Sequence, residues 1–408
     1  MSDAPHVTRS SRPIIGGVIA LYFVIALEVL IMISPFAAFF YAAFNPILLF
    51  LARWPSTHWL SAFFLPHMVM PPDLVLKAVR VAGSVLFVGG TLVFLLCAGQ
   101  VYYKKLARRG PALGGLYRWI RHPQYLALAV AGVGLAILWP RFLTVALWAV
   151  MVALYYLLAR DEERRMVAQF GDQYRDYVER TGMFVPRLFD RLLARIPFPR
   201  HTLLRVTAVF VLTFGLLVGA AFALRAYTVA RLPLWSDGHV AVLPILTADD
   251  VMLRHRMADV LRLPEVESRL QRGSGAILGY VVPREYIMQG MIADTDPAWR
   301  IYEHHQTFAM ITDWIIHPFR HLEGGHSMVH HAMSGSGTGT PSSPTVRRLI
   351  FLRVQTGGTT ESPASLFSID ASRRPQFFVD VDFHTLEMLQ VKDLGPGTGW
   401  GFVPTPMF

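Results

Sequence analysis

The chain has 408 residues, 53% of them hydrophobic and only 16% charged, with a mean hydropathy of +0.40. That balance, with apolar runs of about twenty residues, excludes an ordinary soluble protein for the first half of the chain. The net charge of +10 would point to nucleic acid in a soluble chain. Here the excess Lys and Arg flanks apolar segments, so it reads as membrane topology and lipid headgroup contact, with no nucleic-acid partner.

Residues 1–13 are polar, with Arg9 and Arg12, and an apolar run fills 14–33. It reads as an uncleaved membrane helix rather than a signal peptide, because apolar sequence continues past Phe36-Ala37-Ala38, which imitates a cleavage site. Glu28 inside it is costly in lipid and is expected to face protein or water. Residues 36–51 and 59–70 are apolar but short and broken by prolines, so re-entrant, interfacial or tilted segments are expected. A helix is expected over 78–101, with the single cysteine, Cys97, inside it; one cysteine excludes an intrachain disulfide.

The loop 102–124 carries Lys104, Lys105, Arg108, Arg109, Arg118 and Arg121 without one acidic residue, which places it in the cytoplasm. Between Tyr125 and Ala159 the one charge is Arg141, next to Pro140, so two membrane helices joined by a turn fit there. Arg121 and His122 then enter the first helix and Glu162 and Glu163 leave the second, so both pairs emerge on one membrane face. By parity 160–202 is cytoplasmic. A helix over 166–178 lines up Val167, Phe170, Tyr174 and Tyr177 as a stripe of the kind that more often belongs to a core; beside a cofactor site it is expected also to pack over it like a lid. Residues 203–224 form a further span and leave the cytoplasm.

A guanidinium, an imidazole and two carboxylates at a membrane edge suit a zwitterionic cofactor with an amino-acid tail, because Arg grips a carboxylate and a carboxylate accepts from an ammonium. His122 precedes Pro123 and is pushed out of the helical region, toward such a site. The competing explanation is that the basic residues follow the positive-inside rule while the acids pair with Arg160, Arg164 and Arg165.

The run Gly115, Tyr117, Arg121-His122-Pro123, Tyr125, Glu162-Glu163, Phe170-Gly171, Tyr174, Tyr177 and Pro186 resembles the isoprenylcysteine carboxyl methyltransferase and phospholipid methyltransferase family. The resemblance covers roughly residues 100–190, and it departs from the family at Ala127, where a glycine is usual. It implies an integral-membrane enzyme that uses S-adenosylmethionine and acts on a lipophilic small molecule or lipidated substrate from the bilayer. Arg121, His122, Glu162 and Glu163 are the implied catalytic group; Arg121 and His122, with Glu162 or Glu163, are implied around the methionine end of the cofactor, and Pro123 among the cofactor-binding residues. Tyr125 is implied as a wall near the adenosine and Tyr117 as a support for the loop. His122 or a glutamate is the candidate base. Two other readings stand beside this one: a membrane NADPH-dependent sterol or enone reductase, which shares a similar His-Pro element, and a non-catalytic anchor for an extracytoplasmic binding domain. The Glu162-Glu163 pair favours the methyl donor.

After about residue 228 apolar runs shorten. Strands are expected over 239–246, 276–282, 348–354, 376–383 and 386–391, and helices over 248–263 and 297–316, with a flexible loop at 334–345. Seven of the fifteen histidines crowd 304–331. His317 with His321 and His326 with His330 are four apart, a spacing that suits a transition metal, surface or acid-sensing histidines being the alternative. The expected architecture is an α-helical integral membrane protein with about five to seven membrane helices or half-helices plus a C-terminal extramembrane α+β domain. It divides as 1–75, 76–202, 203–227 and 228–408, in a bacterial inner membrane with the last domain periplasmic. Oligomeric state is not readable from the sequence.

Overall fold

The structure, a computed structural model, describes residues 47–66, 73–107, 113–187, 202–246, 249–284, 286, 289–290, 292–295, 345–355 and 363–395. The described chain clusters into two compact units. One comprises 78–140 and 144–220; the other comprises 47–77, 141–143 and 221 onward.

The helices, in chain order, are α1 (Leu74–Leu106), α2 (Pro123–Leu138), α3 (Phe142–Phe170), α4 (Asp172–Arg180) and α5 (Thr202–Ala230), with a 3-10 turn at Gly115–Arg118 before α2. Among the described residues three stretches are long and apolar enough to cross a bilayer: Leu74–Lys104, Phe142–Phe170 and Phe210–Ala230. Leu92, Leu96, Leu154, Val211 and Leu216 are each more than half exposed. Only lipid makes such a surface favourable, and the chain is an integral membrane protein.

Helix α2 is shorter than the expected span. Its 16 residues rise about 24 Å, because His122 before Pro123 leaves helical geometry at one end and Trp139-Pro140 does so at the other. Small residues let it approach α1 closely. A Cβ on Gly90 would stand 2.6 Å from the Ala131 nitrogen and 2.7 Å from the Ala127 oxygen, and one on Gly134 would meet the backbone of Gly83 and Phe87. Gly90 thus stands opposite Ala127 and Ala131 on the facing helix.

The helix expected over 166–178 is two helices. Gly171 adopts φ +61°, a left-handed conformation that disfavours side chains, so α3 stops at Phe170 and α4 begins at Asp172. In the region expected as a short membrane segment, 59–70, the described part holds only a four-residue turn, His58–Ser61, followed by a bridge from Phe63 to Arg141.

In the second unit, a six-stranded sheet runs in sequential order: β1 (Trp235–Asp237), β2 (Val240–Pro244), β3 (Ala276–Pro283), β4 (Val346–Gln355), β5 (Ser372–Asp382) and β6 (Met388–Asp393). Only β2 and β3 are parallel, and the crossover between them supplies α6 (Asp249–Leu261) and α7 (Pro264–Leu270). Alternation in β3 divides its side chains. Ile277 and Val281 pack with Leu253, Met257 and Val266 of the two helices, while Leu278, Tyr280 and Val282 pack with Leu366, Phe367 and Ile292 on the other face. The five expected strands are all present. The sequence reading lacked β1, which is only three residues long and largely exposed. It also lacked α7, where Pro264 at the first helical position starts a second helix after α6.

Residues 14–33, the expected helix at 297–316, and His317, His321, His326 and His330 lie outside the described residues. Among the described residues no group of three or more His, Cys, Asp or Glu side chains could hold a metal ion.

Candidate active site

The site is built where the backbone cannot be regular. Residues 120–122 run beside 182–183: Arg121 N donates to Gly182 O at 2.9 Å and His122 N to Met183 O at 3.1 Å. His122, at φ −125° and ψ 60°, is the N-terminal cap residue of α2, and its side chain makes no capping hydrogen bond. This short pairing brings the chain after α4 back to the start of α2. Two segments sixty residues apart therefore share one wall.

Arg121 ties three elements together. Its Nε donates to Glu163 Oε1 of α3 at 2.5 Å. Its Nη1 donates to Val178 O at 3.0 Å and also to Thr181 O, carbonyls at the C-terminal end of α4 that helix bonding leaves unpaired. His122 Nε2 stands 3.2 Å from the same Glu163 oxygen. A carboxylate only accepts, so Nε2 carries the proton and Nδ1 keeps a lone pair in the neutral ring. That Nδ1 is buried and has no hydrogen-bond partner among the described residues. The nearest carboxylate oxygen, Glu162 Oε2, is 3.6 Å away and takes a hydrogen bond from Tyr125 OH at 3.1 Å.

Aromatic rings back the charges. Tyr125 stacks on His122 at 5.4 Å and on Tyr155 at 5.1 Å between centroids. Tyr117 is buried; its hydroxyl donates to Gln124 Oε1 at 2.9 Å, and its carbonyl accepts from Tyr177 OH at 2.6 Å. Burial raises the Tyr177 phenol to about 12 and pushes those of Tyr117 and Tyr174 up as well, so all three remain neutral at physiological pH. Of the expected stripe, Tyr174 and Tyr177 fall on α4, with their rings 5.5 Å apart.

All seven residues singled out from the sequence fall in one neighbourhood: Tyr117, Arg121, His122, Pro123, Tyr125, Glu162 and Glu163. The arrangement fits an amino-acid tail. Arg121 Nη2 makes no hydrogen bond among the described residues, the Glu162 side chain is 39% exposed, and His122 Nδ1 is an unmet buried atom beside it. Sequence reasoning missed Gln100, which donates to Gly114 O at 2.9 Å, and Gln124, Tyr155 and Phe184. A lone amide near the end of an apolar helix was the available signal for Gln100. Phe184 carried none.

A cavity of about 320 Å³ adjoins the cluster at Tyr125 and is lined also by Tyr155, Phe184 and, from α5, Phe210 and Thr213. Phe184 lies 6.0 Å from the His122 ring, so cavity and charges share a wall.

Residues 79–173 match the phospholipid methyltransferase family. The matched segment contains Tyr117 through Glu163, the whole Arg121–His122–Glu163 cluster. The chain is 39% identical over 74 residues to methanethiol S-methyltransferase of Mycobacterium tuberculosis, 17% of this chain and 28% of that protein. It is 34% identical over 135 residues to methanethiol S-methyltransferase 2 of Bradyrhizobium diazoefficiens, 33% of this chain and 44% of that protein. The chain thus spans less than half the length of either relative. No solved structure matches it significantly.

Proposed function

We propose that the chain transfers a methyl group from S-adenosylmethionine to the sulfur of an apolar acceptor at the membrane. The observation that carries this reading is the buried, unpartnered His122 Nδ1 inside the Arg121–Glu163 cluster. The names of the two relatives supply the acceptor sulfur and favour methyl transfer over a reductase or a non-catalytic anchor.

When bound, the cofactor supplies a methyl group on a positively charged sulfur. Displacement there needs an aligned nucleophile that has lost its proton. Arg121 Nη2 would hold the carboxylate of the amino-acid tail and Glu162 would accept from its ammonium. His122 Nδ1 would take the proton of the acceptor thiol, freeing its sulfur for the methyl group that the cofactor would supply, with S-adenosylhomocysteine as the other product. Glu163 holds the Nε2–H and stabilises the imidazolium that results. Tyr125 holds Glu162 in place and borders the apolar cavity.

By charge parity, 102–124 and 160–202 belong to the cytoplasmic face of a bacterial inner membrane and 228–408 to the periplasm; reporter fusions after residues 110 and 235 test that assignment. The decisive experiment for the activity is calorimetric titration of S-adenosylhomocysteine into purified protein. We expect binding by the wild type that weakens at least tenfold in Arg121→Ala and in Glu163→Ala. A wild type that ignores the ligand ends the reading.

A further inference from the structure

We propose that the apolar cavity beside Tyr125 is the acceptor site, and that α5, through Phe210 and Thr213, sets the size of the uncharged thiol it admits. This rests on the methyl-transfer reading above.

The chemistry of the wall selects the ligand class. No charged side chain lines the cavity. An acceptor carrying an ammonium, carboxylate or phosphate there would shed its hydration without gaining a partner. A neutral molecule pays no such cost, and sulfur packs well against aromatic rings such as Tyr125, Tyr155 and Phe210. Size points beyond the smallest thiol. The volume of about 320 Å³ is roughly ten times the space one water molecule occupies in the liquid. A thiol with a single carbon would leave most of the wall without contact, and unfilled space forfeits dispersion attraction. A body of several carbons fills it.

Orientation follows from the shared wall. At the near end Tyr125 bonds to Glu162 and Phe184 flanks His122, so the thiol head belongs there and the body extends toward α5. That helix is suited to be a gauge. Val211, Leu212 and Leu216 are each more than half exposed, whereas Phe210 and Thr213 lie on the side that lines the cavity. The Phe210 ring is braced by Phe214, stacked at 5.8 Å. Both gauge residues lie beyond residue 173, outside the segment that matches the family. The donor end is thereby carried by the family segment, and acceptor selection is shared with a helix outside it.

The test uses the full chain in lipid nanodiscs, with methanethiol, butanethiol and octanethiol as acceptors and calorimetric S-adenosylhomocysteine affinity as the control. We expect octanethiol to be preferred over methanethiol by the wild type. Thr213→Phe should raise the KM for octanethiol at least tenfold, change that for methanethiol less than threefold, and leave S-adenosylhomocysteine affinity within about twofold. Thr213→Ala should extend the preference for the longer thiol, which guards against a Thr213→Phe protein that fails to fold. An alkanethiol bearing a diazirine at its far end should label peptides containing Phe210 or Tyr155, and excess octanethiol should suppress the labelling. An unchanged size preference in both variants overturns the proposal, and so do labels confined to other peptides. If the wild type binds no S-adenosylhomocysteine, methyl transfer fails as the activity, and the labelling pattern alone still decides whether the cavity takes an apolar thiol.

Discussion

Two arginine–carboxylate clusters, one in each unit, use the same chemistry to different ends. In the sheet, Arg348 donates through Nε and Nη2 to both oxygens of Asp380, at 2.7 and 2.8 Å, and through Nη1 to Gln289 at 2.8 Å. Arg284 adds a further contact to Asp380 at 3.2 Å, and the Arg348 guanidinium sits 4.0 Å over the Phe378 ring. All three nitrogens are used, and Asp380 is wholly buried. At the membrane site Arg121 uses two nitrogens, His122 keeps an unmet Nδ1, and Glu162 remains open to solvent. A cluster that only holds a fold together closes its valences, because every unmet buried polar atom costs free energy. A cluster that leaves some open can still receive a partner from outside.

That contrast can be broken at either end. Asp380→Ala should show the largest effect on stability, about 3–5 kcal/mol, because it strands the Arg348 charge in the interior. Chemical denaturation of the full protein measures it, and replacing both partners with apolar residues should recover much of the loss. A single variant that loses under about 1 kcal/mol would mean the pair is not structural.

His122→Asn should lower turnover by about a hundredfold or more, some 2.7 kcal/mol in barrier, while S-adenosylhomocysteine affinity stays within about threefold. Turnover close to wild type would place the base elsewhere. Gly134→Ala should cost about 1–3 kcal/mol, read from thermal unfolding, because the new methyl group meets the backbone of Phe87 and Gly83. Gly89→Ala, with nothing within 4 Å of the added carbon, is the matched control and should not destabilise.

The smallest effect belongs to the surface of the sheet. A hydrogen bond from Arg269, with help from Arg272, holds the Asp393 carboxyl below the usual carboxylate range. A depressed value in the folded state contributes stability above the unfolded value, near about pH 4, and loses it as pH falls through the folded one. The carboxylate is largely exposed, so the gain is below about 1 kcal/mol. The stability difference between wild type and Asp393→Asn should be visible at neutral pH and shrink toward pH 3. A difference independent of pH would remove the ion pair as its cause.

The membrane character, the strands after residue 228 and the membership of the charged cluster were legible in the chain, because each is written locally. Lipid solubility follows from unbroken apolar runs, strands from alternation, and the cluster from a hairpin that returns two charged ends to one face. Gly171 hid the break between α3 and α4, since a glycine in a helical pattern does not announce a left-handed turn. Phe184, Phe210 and Thr213 were invisible as wall residues. No periodicity tells an apolar side chain whether lipid, a helix or a cavity will stand opposite it.

Sequence by itself therefore determined which residues carry charge to the membrane edge and how far apart along the chain they start. Only the tertiary structure decided that Arg121 spends its hydrogen bonds on Glu163 and the end of α4, and that His122 is left with one free nitrogen. Such bonds depend on distances between segments some forty to sixty residues apart, and those distances are set by helix packing around small residues rather than by any local pattern.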